Sequence, residues 1–287
     1  MENFVIYTDS GCDISKDTLA EWGVGFIPLS FRFNDIDKEF NEGEMPITEF
    51  YDKMRSGGSA KTSAINMETF KDNFRSELEK GNDVLYIAFS SGLSNTYNAG
   101  RLAAEELLEE FPDRRVIAVD TLAASAGQGM LVWYAVAKRN AGESIEEIAR
   151  FILENRNNMC HWVTVEDLKY LKRGGRISAA TAIVGSMLSI KPIIHVDNEG
   201  KLVSVGKARG RKGSLREIAN RYEALAKDKS GKVFISHGDC KEDAEEMARI
   251  LREEYSADVE LITYIGTVIG AHSGPGTIAV FFFGNEK

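Results

Sequence analysis

Val84-Leu85-Tyr86-Ile87-Ala88-Phe89-Ser90-Ser91-Gly92-Leu93-Ser94-Asn95-Thr96 decides the fold class. Its first six residues are apolar without alternation. That is the pattern of a parallel strand covered by helices on both faces. A glycine turn follows, and then Tyr97, Ala104, Leu107, Leu108 and Phe111 share one helical face. Strand, glycine turn and helix together make one unit of an α/β layer. Similar runs at Phe4–Tyr7, Val116–Val119 and Val233–Ser236 predict further buried strands. Met67, Phe70, Phe74 and Leu78 predict a helix capped by Asn66, and Ser144-x-x-Glu147 is a capping box opening Ile145–Asn155. The order is β-α-β-α-β over the first half.

The second half has a different grammar. Met159–Val165 reads as a strand and Glu166–Arg173 as a short helix ended by Gly174-Gly175. Ser178–Ile190 is small or apolar all round, which predicts a buried helix. With Ala179, Ala180, Ala182 and Gly185 it serves either as core or as the lining of a long apolar cavity. Asn198-Glu199-Gly200 between Lys191–Asp197 and Lys201–Lys207 signals a hairpin. Ser214-x-x-Glu217 and Asp239-x-x-Glu242 are read as openings of two further helices, and strands Val259–Tyr264 and Thr277–Phe283 close the chain. The expected architecture is α/β: an N-terminal α/β/α parallel-sheet domain over residues 1–157, then a smaller α+β mixed-sheet C-terminal domain over 158–287.

Composition narrows the function. Lys and Arg number 35 against 44 Asp and Glu, a net charge of −9. Such a field repels phosphates, which argues against nucleic acid and against an anionic bilayer surface. No apolar run approaches the ~18 residues that a membrane span needs, so no stable membrane insertion is expected. Met1-Glu2-Asn3 lacks a basic leader, and a cytoplasmic location is the expectation. Cys12, Cys160 and Cys240 form no C-x-x-C pair, so neither a disulfide framework nor a zinc site is expected.

Chemistry should sit beyond the carboxyl ends of the parallel strands. Three such ends are polar: Thr8-Asp9-Ser10-Gly11, Ser90–Thr96 and Asp120-Thr121. Ser90–Thr96 gathers hydroxyls and free N–H groups at a helix start, a setting for a carboxylate or phosphate. Lys61-Thr62-Ser63 adds a hydroxyl pair. Gly270–Gly276 reads as a tight loop presenting His272. Asp9 and Asp13 are better read as caps of a strand-end turn than as metal ligands. Lys169, Lys172, Arg173 and Arg176 form one local basic group, and Lys207–Lys212 another. Two readings besides simple carboxylate binding stay open. One is a serine hydrolase using Ser94, Asp120 and His272 in that chain order, although Thr96 replaces the second glycine of a nucleophile elbow. The other is a phosphate-binding interaction domain.

These residues, in this order and spacing, resemble the DegV family of bacterial fatty-acid-binding proteins, of FakB-like type, over essentially the whole chain. The likeness rests on Tyr7-Thr8-Asp9-Ser10, Lys61-Thr62-Ser63, Ser90–Tyr97, Asp167–Ile177, Lys191-Pro192-Ile193-Ile194, Gly200-Lys201-Leu202 and the His272 segment. Asn95 stands where the family pattern has glycine, and Ala64-Ile65 follows where it has proline. The resemblance implies a lipid-binding carrier with no catalytic residue, metal or cofactor, its ligand a long-chain fatty acid held between two domains. It implies that Thr62, Ser63, Ser94 and His272 bind the carboxylate. For some members it implies a partner, a fatty-acid kinase that phosphorylates the carboxylate, with Arg176 and Arg209 at positions suited to docking.

Overall fold

The computed structural model describes residues 3–177 and 189–287. The chain runs through β1 (Phe4–Asp9), a single 3₁₀ turn (Ser10–Cys12), α1 (Lys16–Glu21) and β2 (Val24–Ile27). Next come β3 (Ser30–Phe33), β4 (Phe40–Asn41), α2 (Ile47–Arg55) and β5 (Ala60–Ser63). Then follow α3 (Met67–Glu79), β6 (Asp83–Ala88), α4 (Thr96–Glu110), β7 (Val116–Asp120), α5 (Ala126–Asn140) and α6 (Ile145–Asn155). The second half contains β8 (Met159–Thr164), α7 (Lys169–Arg173), β9 (Ile190–Val196), β10 (Leu202–Arg209) and α8 (Gly210–Leu225). It ends with β11 (Lys232–His237), α9 (Lys241–Tyr255), β12 (Asp258–Tyr264), α10 (Thr267–Ser273) and β13 (Ile278–Phe283).

Among the described residues the strands form three sheets. The first, ordered β2-β1-β6-β7, is parallel throughout, and all six residues of β6 are buried. The second is mixed, ordered β10-β9-β8-β13-β11-β12, with only β11 and β12 parallel. The third is a small antiparallel sheet, β4-β3-β5. The parallel and mixed sheets are the α/β and α+β parts that the sequence predicts. α3 and α4 cover one face of the parallel sheet, through Phe70, Phe74, Ala103 and Leu107. α5 lies against its other face and also packs on Phe234 and Phe281 of the mixed sheet. α8 and α9 cover the far side of the mixed sheet through Leu215, Ile218, Met247 and Leu251. The Ser144–Glu147 capping box is present with both reciprocal bonds, and the Asn66 side chain accepts from Thr69 N.

Several local expectations are corrected. Ser214 is not a cap: α8 begins at Gly210, and the Ser214 hydroxyl donates to the Arg211 carbonyl at 2.8 Å inside the helix. Asp239 does not open α9 either. It sits at φ 54 two residues before the helix, paired with Arg55 at 2.5 Å. Residues 270–273, read as the start of a tight glycine loop, are instead the end of a helix, α10 (Thr267–Ser273). Ile265, just before it, lies three and four residues from Val268 and Ile269, a spacing that the neighbouring glycines obscure. The segment 24–63 holds a sheet of its own. Its strands are too short to show a period, and Phe31, Phe33, Phe50 and Tyr51 bury each other as an aromatic cluster instead. The expected buried helix Ser178–Ile190 falls on residues 178–188, outside the described residues, and Ile190 begins β9.

Asp9 terminates β1 as a buried junction. Its carboxylate accepts from Gly11 N (2.9 Å), Tyr86 OH (2.6 Å), Phe89 N (2.9 Å) and Gln128 Nε2 (3.2 Å). Burial pushes its pKa up, against the lowering effect of these donors. Asp9→Ala leaves Gly11 N, Tyr86 OH and Phe89 N buried without an acceptor, while Gln128 Nε2 keeps Thr8 Oγ1 and the Ile87 carbonyl, so unfolding free energy should fall by about 3 kcal/mol or more in urea titration. Asp9→Asn, which keeps one acceptor oxygen, should fall between wild type and Asp9→Ala.

Candidate functional site

The carboxyl ends of β1, β6 and β7 open toward the mixed sheet, and an apolar cavity of about 270 Å³ lies between them. Phe89, Leu93 and Ser94 line it from the loop after β6, and Ala124 and Ser125 from the loop after β7. His161, Val163 and Val165 come from β8 and its exit, and Ala279 and Phe281 from β13. The odd-numbered residues of these two antiparallel neighbours therefore face the cavity. Cys160, Trp162, Ile278, Val280 and Phe282 face the α8/α9 core. This is the period-two rule of a strand with a different environment on each face. Thr62, Ser63 and Ala64 close one side from β5 and its exit, and Val268, Ile269, His272 and Ser273 close another from α10.

The polar groups collect at one place. Thr62 Oγ1 and His272 Nε2 are 2.8 Å apart, although 210 residues separate them in the chain. The ring's other nitrogen, Nδ1, is buried without a hydrogen-bond partner and faces Gly174. The tautomer that fits this packing has the proton on Nε2, which donates to Thr62 and leaves the Thr62 hydrogen free for a ligand oxygen. Burial first, then the cations Arg176 and Arg173, push the His272 pKa down to about 4. At neutral pH the ring is an uncharged donor. Ser94 Oγ accepts from Thr96 N at 3.2 Å and lies 2.8 Å from Thr96 Oγ1, just ahead of α4, whose N-cap residue is Asn95. Arg176 lines the same cavity and donates from Nε to the Leu93 carbonyl at 3.2 Å. Hydroxyls, a neutral imidazole, a helix start and a guanidinium together suit an anionic oxygen at the end of an apolar ligand.

α10 is held by Glu42 and Tyr51, which sequence reasoning missed, and by Asp13, which it read only as a turn cap. Glu42, just after β4, accepts from Thr267 N (3.0 Å), Thr267 Oγ1 (2.8 Å) and Val268 N (3.1 Å). Asp13 accepts from Gly266 N at 2.9 Å and from the Ser125 hydroxyl. Tyr51 OH donates to the Ile265 carbonyl at 2.8 Å. Burial raises the pKa of both carboxyls, and Glu42 raises that of Asp13 further. The signal for Glu42 was absent from the sequence, because 225 residues separate it from Thr267. The cavity face of β8 was visible as His161-x-Val163-x-Val165.

Not every expected site residue converges. Thr62, Ser94 and His272 line the cavity together, as does Ser63, but the Ser63 hydroxyl donates to Glu39 at 2.8 Å. Arg176 is at the cavity. Arg209 ends β10, is exposed, and is not among the lining residues. The hydrolase constellation is not assembled. Asp120 is spent on backbone, accepting from Leu122 N in its own turn and from Ser91 N in the loop after β6 at 3.1 Å each. His272 meets Thr62 on one nitrogen and Gly174 on the other, so no carboxylate orients it. Asp9 caps the turn after β1 through Gly11 N, as expected, whereas the Asp13 carboxylate caps no turn and is filled instead by the distant Ser125 hydroxyl and Gly266 N. Among the described residues, no group of three or more His, Cys, Asp or Glu could hold a metal, and no helix is long and apolar enough to cross a membrane.

Three comparisons bear on this site. The profile described as "Uncharacterised protein, DegV family" matches residues 3–285. A DegV domain-containing protein from Clostridium perfringens is 43% identical over 289 residues, 100% of this chain and 99% of that protein. A solved structure concerned with fatty-acid binding by a DegV family protein from Thermus thermophilus is similar with a TM-score of 0.88 at 30% identity, over 98% of this chain and 99% of that one. A stearic acid-binding protein from Eubacterium ventriosum is similar with a TM-score of 0.87 at 25% identity, over 97% and 98%.

Gly174 gives the site a sharp test. A Cβ built there would lie 2.1 Å from His272 Nδ1, so the ring must move. Gly174→Ala should break the Thr62–His272 bond. Imidazole NMR should then show His272 titrating nearer the ordinary histidine value, with stability lowered by about 1–3 kcal/mol. Gly175→Ala is the control. It lies at φ +71 in open space, so it should cost stability through backbone strain and leave His272 unchanged.

Proposed function

The chain belongs to the DegV family, and on that premise we propose that it is a carrier for one long-chain fatty acid. The carboxylate takes donors from Thr62 and Ser94 beside His272, with Arg176 nearby, and Ser63 is a peripheral contact. The tail lies along Val163, Val165, Ala279 and Phe281. The observation that carries this reading is the Thr62–His272 pair in the wall of a predominantly apolar cavity. Each buried methylene contributes about 0.8 kcal/mol, so the tail dominates affinity and the head group sets direction. Fatty-acid binding by the Thermus thermophilus relative and stearate binding by the Eubacterium ventriosum relative support the choice of ligand.

The same reading makes the protein a presenter rather than an enzyme. Donors surround the carboxylate and no nucleophile is activated, so a separate fatty-acid kinase would transfer the phosphoryl group. Arg209, exposed and away from the cavity lining, is the docking candidate, and Arg176 serves the ligand first. The division at residues 157 and 158 is proposed as the seam along which the acyl chain lies. The proposed place of work is the cytoplasm, between a fatty-acid source and the kinase.

Native mass spectrometry of the purified protein tests the reading. A co-purified long-chain fatty acid is expected, and fatty acid returned to delipidated protein should raise the melting temperature by mass action. Thr62→Val with Ser94→Ala should fold and bind at least tenfold more weakly. Protein that is ligand-free and takes up no added fatty acid would refute the carrier. In a coupled assay with a fatty-acid kinase and ATP, Arg209→Ala should keep its fatty acid and yield acyl phosphate more slowly. Equal rates would remove Arg209 from docking.

A further inference from the structure

Ile265, Val268, Ile269, His272 and Ser273 all line the cavity. Their spacing of three and four places them on one face of α10 and its lead-in residue. The first three are apolar. The last turn alone is polar, at the level where His272 meets Thr62. His272 has a partner there, and Ser273 has none. Ser273 is 6% exposed, and its Oγ is buried without a hydrogen-bond partner.

Helix termination does not explain this hydroxyl. Thr277 closes the end of α10, donating from Oγ1 toward the Ser273 carbonyl (3.1 Å) and the Gly274 carbonyl (2.8 Å). The Ser273 side chain leaves the helix carbonyls behind it unused, although serine can bond back to them. The backbone beside it is fixed as well. Gly274 sits at φ +81, and a Cβ there would lie 2.3 Å from the Tyr170 ring. Ser273 is thus a rigidly held donor in a cavity wall. A buried hydroxyl left unpaired is costly, and an arriving acceptor removes that cost.

Resting on the carrier reading above, we infer that Ser273 donates a hydrogen bond to the ligand's carboxylate. A carboxylate offers about four lone-pair sites, so it accommodates Thr62, Ser94 and a third hydroxyl together. Ser273 and Thr62 flank His272, one beside it on the helix and the other hydrogen-bonded to its ring. Ser273 thereby becomes a specificity residue, favouring carboxylates over uncharged lipids through a charge-assisted bond.

Isothermal titration with palmitate and with hexadecan-1-ol tests the assignment. Ser273→Ala should weaken palmitate about tenfold and the alcohol distinctly less, lowering the preference for acid over alcohol. Ser273→Thr should keep most of that preference. Because the free protein loses only an unpaired hydroxyl, the ligand-free melting temperature of Ser273→Ala should stay level or rise slightly. If palmitate binds the variant as tightly as wild type, or acid and alcohol weaken equally, Ser273 is a packing residue and the assignment is wrong. Wild-type protein that binds no palmitate overturns the carrier reading and this assignment with it. Wild-type binding that Thr62→Val weakens and Ser273→Ala does not overturns the assignment alone.

Discussion

Two carboxyl groups removed from water, Asp9 and Asp13, hold the architecture at its centre. Asp9 joins the end of β1 to the end of β6 and to α5. Asp13, four residues on, joins the start of α5 to the start of α10 through Ser125 and Gly266. Thr263 of β12 adds a bond to the Asp13 carbonyl at 3.0 Å. Asp13 and Ser125 both occupy positive φ, at 51 and 56 degrees, without being glycine. Backbone strain of this kind persists only where surrounding bonds over-determine it. Here those bonds link the parallel sheet, the central helix and the helix that carries His272. The position of the imidazole is set by a joint on the far side of the cavity wall.

The sequence showed the layers better than it showed the joints. Strands such as Val84–Phe89 announce themselves because burial on both faces removes polar residues from the run. The capping box at Ser144 is legible because both of its partners lie within one turn. Thr62, Ser94 and His272 were nameable from local polarity and family resemblance. Their meeting across 210 residues was not. Glu42 was invisible for the same reason, since its partners are backbone amides distant in sequence. The His272 segment was misread as a loop because its glycines outweighed the three-four spacing of Ile265 from Val268 and Ile269. The capping signatures at Ser214 and Asp239 were genuine patterns in the wrong place. At Ser214 the helix starts four residues earlier, and at Asp239 an ion pair with Arg55 fixes the chain before the helix begins.

The chemistry of the site follows from what it withholds. His272 is neutral at physiological pH because it is buried near arginines, and no carboxylate restores its basicity. A ring of such low basicity, with Nε2 engaged by Thr62, is a poor base for activating Ser94. Ser94, Asp120 and His272, though in the chain order of a hydrolase, are not assembled as a triad, and the proposed carrier reading uses Ser94 and His272 as binding groups. The resulting division of labour is simple. In the proposed carrier, polar groups would fix the orientation of an amphiphile and unreactive walls would hold the rest.

β8 and β13 carry this logic into the history of the fold. Each has one face committed to the α8/α9 core and the other to the cavity, so alternate residues answer to different selective demands. Substitutions at positions 161, 163, 279 and 281 can reshape the ligand space while Trp162, Val280 and Phe282 continue to secure the helices. Ligand preference is thus separable from foldability along a single strand. On the carrier reading, ligand preference could change through a few alternate positions with no change in topology.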